Sequence, residues 1–221
     1  MIVPTVIVLV GVGVFFLLNN GSSGTAGPVV TPPASVPKFD FSIKQTETFP
    51  TNATDPKKLQ GATDSTAKAV AARLSDMYQW AFLDPANRSD GSYDEVWRYF
   101  TPTIATKAQQ DEATLTLGPN AGDKFSDVQP GRGAMQVEVL TDKKNQPTTA
   151  VAIVKFTAHA TGTDDVATTI VSDGQYFLQP VSGGWHVSGY KVLRKDHEKT
   201  SPNAGGTPTP GASASAGGTT P

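Results

Sequence analysis

The chain has no cysteine, which excludes disulfides, thiolate metal sites and thiol nucleophiles together and leaves the fold to hold by packing alone. Charge is nearly balanced, with 18 Lys and Arg against 20 Asp and Glu. No basic cluster is longer than Lys143-Lys144, so the electrostatic footprint of a nucleic-acid binder is missing and no nucleic-acid partner is expected. The three histidines, His159, His186 and His197, are far apart in sequence, and no metal-ligand spacing results. No Gly-rich phosphate loop, nucleophile elbow or kinase signature is present. These absences give no reason to expect a metal or a cofactor.

Charge is also absent from the whole stretch before Lys38. Within it, Ile2 to Leu18 reads IVPTVIVLVGVGVFFLL, which as a helix is roughly 25 Å long, close to a hydrocarbon thickness once flanking residues and bilayer thinning are counted. The run is expected to be an uncleaved single-pass anchor over 1–20. Secretion after cleavage near Ala26 is the alternative, although no basic n-region precedes the run. With no cysteine after the run, a bacterial lipoprotein is excluded. No flanking Lys or Arg sets the orientation by the positive-inside bias, and the domain is placed on the extracytoplasmic side of the cytoplasmic membrane.

Composition divides the remainder. Residues 21–62 form a linker, Gly/Ser-rich and then Pro-rich up to Pro37, with a short strand at 39–44 where Phe39, Phe41 and Ile43 alternate with polar residues. Residues 196–221 are a Gly/Pro/Ser/Thr-rich tail with too little apolar surface to offset its ordering entropy. The domain spans 63–195. From Ser65 to Leu83, Ala67, Val70, Ala71, Leu74, Met77, Tyr78 and Ala81 recur at helical spacing, and Asp84-Pro85 stops the helix. Ser92 and Glu95 match a capping box for a short helix, and Thr101-Pro102 starts another that runs to about Ala113. After Gly118-Pro119 the period changes to four strands in an antiparallel meander, near 134–140, 149–160, 166–178 and 185–193. Gly174, after Ser172-Asp173, is expected to mark a bulge. Helices followed by a meander give an α+β fold, with the long helix on the concave face of a curved sheet.

The segments AARLSDMYQWAFLD, SYDEVWRYF and GQYFLQPVSGGWHVSGYKVL resemble the cone-shaped domain of the nuclear-transport-factor-two and ketosteroid-isomerase superfamily. Joined to an amino-terminal anchor, the chain is similar to the Mce-associated membrane proteins of actinobacteria and to assembly subunits of conjugative secretion systems. The resemblance implies a noncatalytic accessory, anchored through Ile2 to Leu18, that docks a membrane or envelope complex. Catalytic members of the superfamily pair a pocket carboxylate with a Tyr or second acid, and no such pair is assignable here. A binder or enzyme acting on a small apolar molecule between helix and sheet is the alternative, and a structural spacer is a third.

Five residues are candidates for a ligand or interface site. Tyr78 lies on the apolar stripe of the long helix, where its hydroxyl could reach a pocket mouth. Trp80 lies off that stripe, as an exposed interface anchor would. His159 projects to one face of the second meander strand. His186 and Tyr190 are expected to share one face of the last strand, with Trp185, Val187 and Leu193 on the buried face. Asp76 and Asp84 are expected to be solvated. Asn52 and Asn87 occupy glycosylation sequons.

Overall fold

The structure, a computed structural model, describes residues 35–49 and 56–199. The apolar run Ile2 to Leu18, residues 21–34 and 50–55 of the expected linker, Asn52 among them, and the tail from Thr200 lie outside the described residues. Among those described, no helix is long and apolar enough to cross a membrane.

The fold is α+β, a five-stranded sheet with helices packed on it. In chain order its elements are β1 (Ser42–Phe49), α1 (Pro56–Tyr78), a π-helical turn (Gln79–Leu83), α2 (Pro85–Asp90), α3 (Asp94–Trp97), α4 (Pro102–Gln110), α5 (Glu112–Leu115), α6 (Ala121–Lys124), β2 (Phe125–Thr141), β3 (Pro147–Gly162), β4 (Ala167–Val181) and β5 (Gly184–Glu198). The sheet order is β1-β2-β3-β4-β5. Strands β2 to β5 form the antiparallel meander, joined by tight turns with positive φ at Asn145, Asp165, Gly183 and Gly184. The strand expected at 39–44 lies instead at Ser42–Phe49. It pairs parallel to β2, with Phe39 and Phe41 buried just ahead of it.

Helix α1 buries Ala67, Val70, Leu74, Met77 and Tyr78, the positions its spacing marked as one apolar stripe. They meet the even-numbered residues of β3, where Ala150, Ala152, Val154, Phe156 and Ala158 are all buried, because a strand sends alternate side chains to opposite faces. Odd-numbered β3 residues from Ile153 to His159 point the other way and are partly or fully open to solvent.

Three local expectations are corrected. Ser92 makes no capping box: Tyr93 holds the position before α3 without a side-chain cap, and Glu95 pairs with Arg98 at 2.7 Å. No register shift occurs at Ser172-Asp173-Gly174, which pairs continuously with both neighbours. Glycine is needed there for space, since a Cβ would stand 2.9 Å from Cγ2 of Val192. The shift in the β4–β5 pair falls three residues after Gly174, where Phe177 faces Gly189 and Leu178 faces Val187, leaving Ser188 as the extra residue. That insertion exchanges the faces of everything after it. Tyr190 packs against the core and Leu193 is 58% exposed, the reverse of the expected assignment.

Candidate functional site

Arg73 and Asp76 on α1, and Trp80 in the π-helical turn that continues it, recur at helical spacing on the flank that faces away from the apolar stripe. The π-helical turn Gln79–Leu83 adds a residue to the last turn, which carries Ala81, Phe82 and Leu83 into the core while Trp80 stays 36% exposed. Below Trp80, Asp84 ends the turn and caps α2, its carboxylate accepting from the backbone N–H groups of Ala86 at 2.7 Å and Asn87 at 3.2 Å. Asp84 is therefore buried, not solvated as expected, whereas Asp76 is exposed. The side-chain amide of Asn87 donates to the Trp80 carbonyl at 2.9 Å, so this sequon nitrogen is engaged in holding the joint.

The Arg73 guanidinium lies 4.1 Å from the centroid of the Tyr99 ring, a cation–π contact. Its Nε donates to the Trp185 carbonyl at 3.2 Å, and its Nη2 donates to the Arg98 carbonyl at 3.1 Å. The same Nη2 is 3.3 Å from Nε2 of His186. Arginine only donates, so Nε2 accepts and the ring proton is assigned to Nδ1, a buried atom with no hydrogen-bond partner among the described residues. The Trp80 side chain neighbours the Tyr99 hydroxyl. Burial first, then the Asp76 charge, pushes the Tyr99 phenol up, and Arg73 opposes them. Among the described residues Arg73 has carbonyls, an imidazole and a ring around it, but it makes none of the ion pairs.

The other candidates lie elsewhere. Tyr78 is fully buried, and its hydroxyl meets Ser172 Oγ at 3.1 Å and the Tyr176 hydroxyl at 3.0 Å; it does not reach a pocket mouth. Around it, Phe41, Phe82, Phe156 and Tyr176 have ring centroids 5.0, 5.2, 5.0 and 6.2 Å away. The space between α1 and the sheet is filled there by aromatic rings. Tyr190 donates to Asp111 at 2.7 Å, and Lys107, also bonded to Asp111, lies 5.2 Å over its ring. This ties α4 to β5. Burial and the Asp111 carboxylate push the Tyr190 phenol up to about 12. His159 is exposed on the sheet face away from α1, in one row with Gln129, Thr169 and His197. Of the five candidates, only Trp80 and His186 come together, bridged by Arg73 and Tyr99.

Sequence reasoning missed Arg73 and Tyr99. The seven-residue interval from Arg73 to Trp80 was the available signal, because it places an always-charged group under an off-stripe tryptophan. A separate polar cleft of about 530 Å³ is lined by Ala113, Asn120, Lys124, Arg194 and Asp196. Its arginine is already committed to Asp196 at 2.6 Å and to the Ala113 carbonyl at 3.2 Å. Among the described residues no group of three or more His, Asp or Glu side chains could hold a metal ion. In comparison with known proteins, no family model matches the chain and no curated protein matches it significantly.

Proposed function

We propose that this chain is a single-pass membrane protein whose cone-shaped α+β domain stands outside the cytoplasmic membrane and docks, without catalysis of its own, a component of an envelope or transport complex. The observation that carries this reading is the Arg73–Trp80–Tyr99 surface. Tryptophan, tyrosine and arginine dominate the binding energy of protein interfaces, and here an exposed indole and a guanidinium that makes no ion pair among the described residues both neighbour Tyr99. A π-helical turn is a poorer geometry than the α-helix it interrupts and recurs at functional sites. In this chain its effect is to hold Trp80 outward. The anchor rests on the apolar length of Ile2 to Leu18, and the cone shape on the resemblance of the helix and last-strand segments. The aromatic filling around Tyr78 favours docking over the capture of a small apolar molecule between helix and sheet.

The test is recovery of the full-length chain from detergent-solubilised native membranes, with Trp80→Ala and Arg73→Ala compared to the parent. A membrane partner should co-purify stoichiometrically with the parent. Its affinity should fall by roughly 30-fold with Trp80→Ala, the effect of losing a strong interface anchor. A partner retained equally by both variants would show that this surface is not the docking site.

A further inference from the structure

The sheet has a second surface that the docking reading leaves unused. Seven large apolar side chains are exposed among the described residues, and four of them, Phe49, Leu140, Phe177 and Val181, lie at or near one end of the sheet. Topology brings them there. Because β1 runs parallel to β2 and the other pairs are antiparallel, the ends of β1, β2 and β4 meet the starts of β3 and β5. Phe49 stands across from Leu140, and Val181 closes the β4–β5 turn opposite Gly184. Phe49, Leu140 and Phe177 also share the face turned away from α1. Isolated exposed apolar residues need no explanation, but a group at one tip marks an interaction surface.

Charge at this tip identifies the occupant. The β2–β3 turn presents Lys143 and Lys144, both exposed and neither in an ion pair among the described residues. The one acid in that turn, Asp142, is committed to the turn itself, accepting from the backbone N–H groups of Lys144 and Gln146, both at 2.8 Å. The β4–β5 turn, Ser182-Gly183, carries no charge. Glu47 and Glu138 lie one row back from Phe49 and Leu140, where the sheet face begins.

We propose that this tip inserts into an anionic lipid surface, with Phe49, Leu140 and Val181 entering the boundary between headgroups and acyl chains and the Lys143 and Lys144 ammonium groups lying against lipid phosphates. Apolar side chains beside lysines whose stems can lie along them fit that layered environment. Each lysine near an anionic surface adds to binding, and the contribution is screened by salt. The proposal rests on the membrane-anchor reading above. The 16 residues between Leu18 and Ser35 can span roughly 50 Å when extended, enough for the tip to turn back to the bilayer.

The absence of cysteine permits a clean test on the full chain. Val181→Cys is labelled with a polarity-sensitive fluorophore, with Asp76→Cys on α1 as the control, and each is reconstituted into vesicles of phosphatidylcholine alone or mixed with phosphatidylglycerol. Flotation reads the anchor, and label emission reads the tip. The label at position 181 should gain emission several-fold and shift to the blue only in vesicles with phosphatidylglycerol. High salt should reverse the change, and Lys143→Ala and Lys144→Ala should each reduce the ratio of inserted to free tip about fivefold. The label at position 76 should not respond. A chain that floats while the label at 181 keeps its aqueous emission overturns the proposal and leaves the anchor standing. A shift that follows protein density and ignores lipid charge also overturns it, assigning the tip to a protein contact. If the chain does not float, the anchor reading fails, and the response of the label to the same vesicles added from outside decides the tip alone.

Discussion

The hydroxyls of Tyr78 and Tyr176 meet at 3.0 Å in the centre of the core, where Ser172 is the third member of the network at 3.1 Å from Tyr78. Burial pushes the Tyr78 phenol up to about 12, with the bonds to Ser172 and Tyr176 pulling the other way, and holds Tyr176 well above its ordinary range. Tyr93 and Tyr190 are also pushed up to about 12, chiefly by burial, and Tyr99 is raised. These are all five tyrosines of the chain. An acid whose folded pKa is raised contributes stability that is complete below its unfolded value, near 10, and is lost as pH rises through the folded value. The domain should therefore resist alkali to about pH 10 and unfold cooperatively between 10 and 12. Phenolate absorbance should rise in one step coincident with loss of circular dichroism. A gradual rise beginning near pH 9 in a still-folded domain would contradict this packing.

Removing the hydroxyl alone isolates its contribution. Tyr78→Phe keeps the ring contacts but leaves Ser172 and Tyr176 short of a partner in a dry site, and should cost about 1–3 kcal/mol in urea unfolding.

Two glycines make opposite predictions. A Cβ on Gly174 would stand 2.9 Å from Val192 Cγ2 and 3.2 Å from Tyr176 Cε2, whereas one on Gly61, inside α1, meets nothing within 4 Å. Gly174→Ala should destabilise by about 1–3 kcal/mol through overpacking. Gly61→Ala should stabilise by roughly 0.5–1 kcal/mol by restricting the unfolded chain and favouring the helix. Thermal unfolding of the two variants checks both signs.

The same glycine shows what the sequence made legible. Periodicity located α1 and the meander because burial enforces it over many residues, as from Ala67 to Tyr78 and from Ala150 to Ala160. Single-residue irregularities carry no periodic signal. Gly174 looked like a bulge although its role is clearance for Val192, and the inserted residue is Ser188, which nothing in its composition marks. That one insertion moved Tyr190 to the core side and Leu193 to solvent. Ser92 and Glu95 matched a capping box by spacing, but Tyr93 holds the position before α3, and Glu95 binds Arg98. Of the candidate surface, Trp80 was legible from its place off the stripe. Tyr99 was not, because its link to Arg73 joins residues on different elements.

The Asp111 contact with Tyr190 and Lys107 should show a small acid dependence. The bond to Lys107 first, then that to Tyr190, holds the Asp111 carboxyl below its ordinary value. A lowered acid contributes above its unfolded pKa, near 4, and loses the contribution as pH falls through the folded one. The ion pair is exposed, so the effect is screened. Asp111→Asn should lower the melting temperature slightly at pH 7, the difference shrinking in high salt and as pH falls below about 4.

Asp84 joins the stability of the fold to the candidate surface. Its carboxylate satisfies the first N–H groups of α2, and α2 in turn carries Asn87, whose amide holds the Trp80 carbonyl at 2.9 Å. Asp84→Ala should cost about 1–2 kcal/mol, the usual loss for removing a cap, while Asp84→Asn, which keeps an accepting oxygen, should lose well under half of that. If Trp80 is the docking anchor, Asp84→Ala should also weaken partner binding at temperatures where the domain is fully folded, because the joint that orients the indole has lost its support. Asn87→Ala should reproduce the binding defect while retaining the cap. Binding and unfolding measured on the three variants separate the roles. A defect in Asp84→Ala that is absent from Asn87→Ala would assign the effect to stability and remove the argument that this joint positions Trp80.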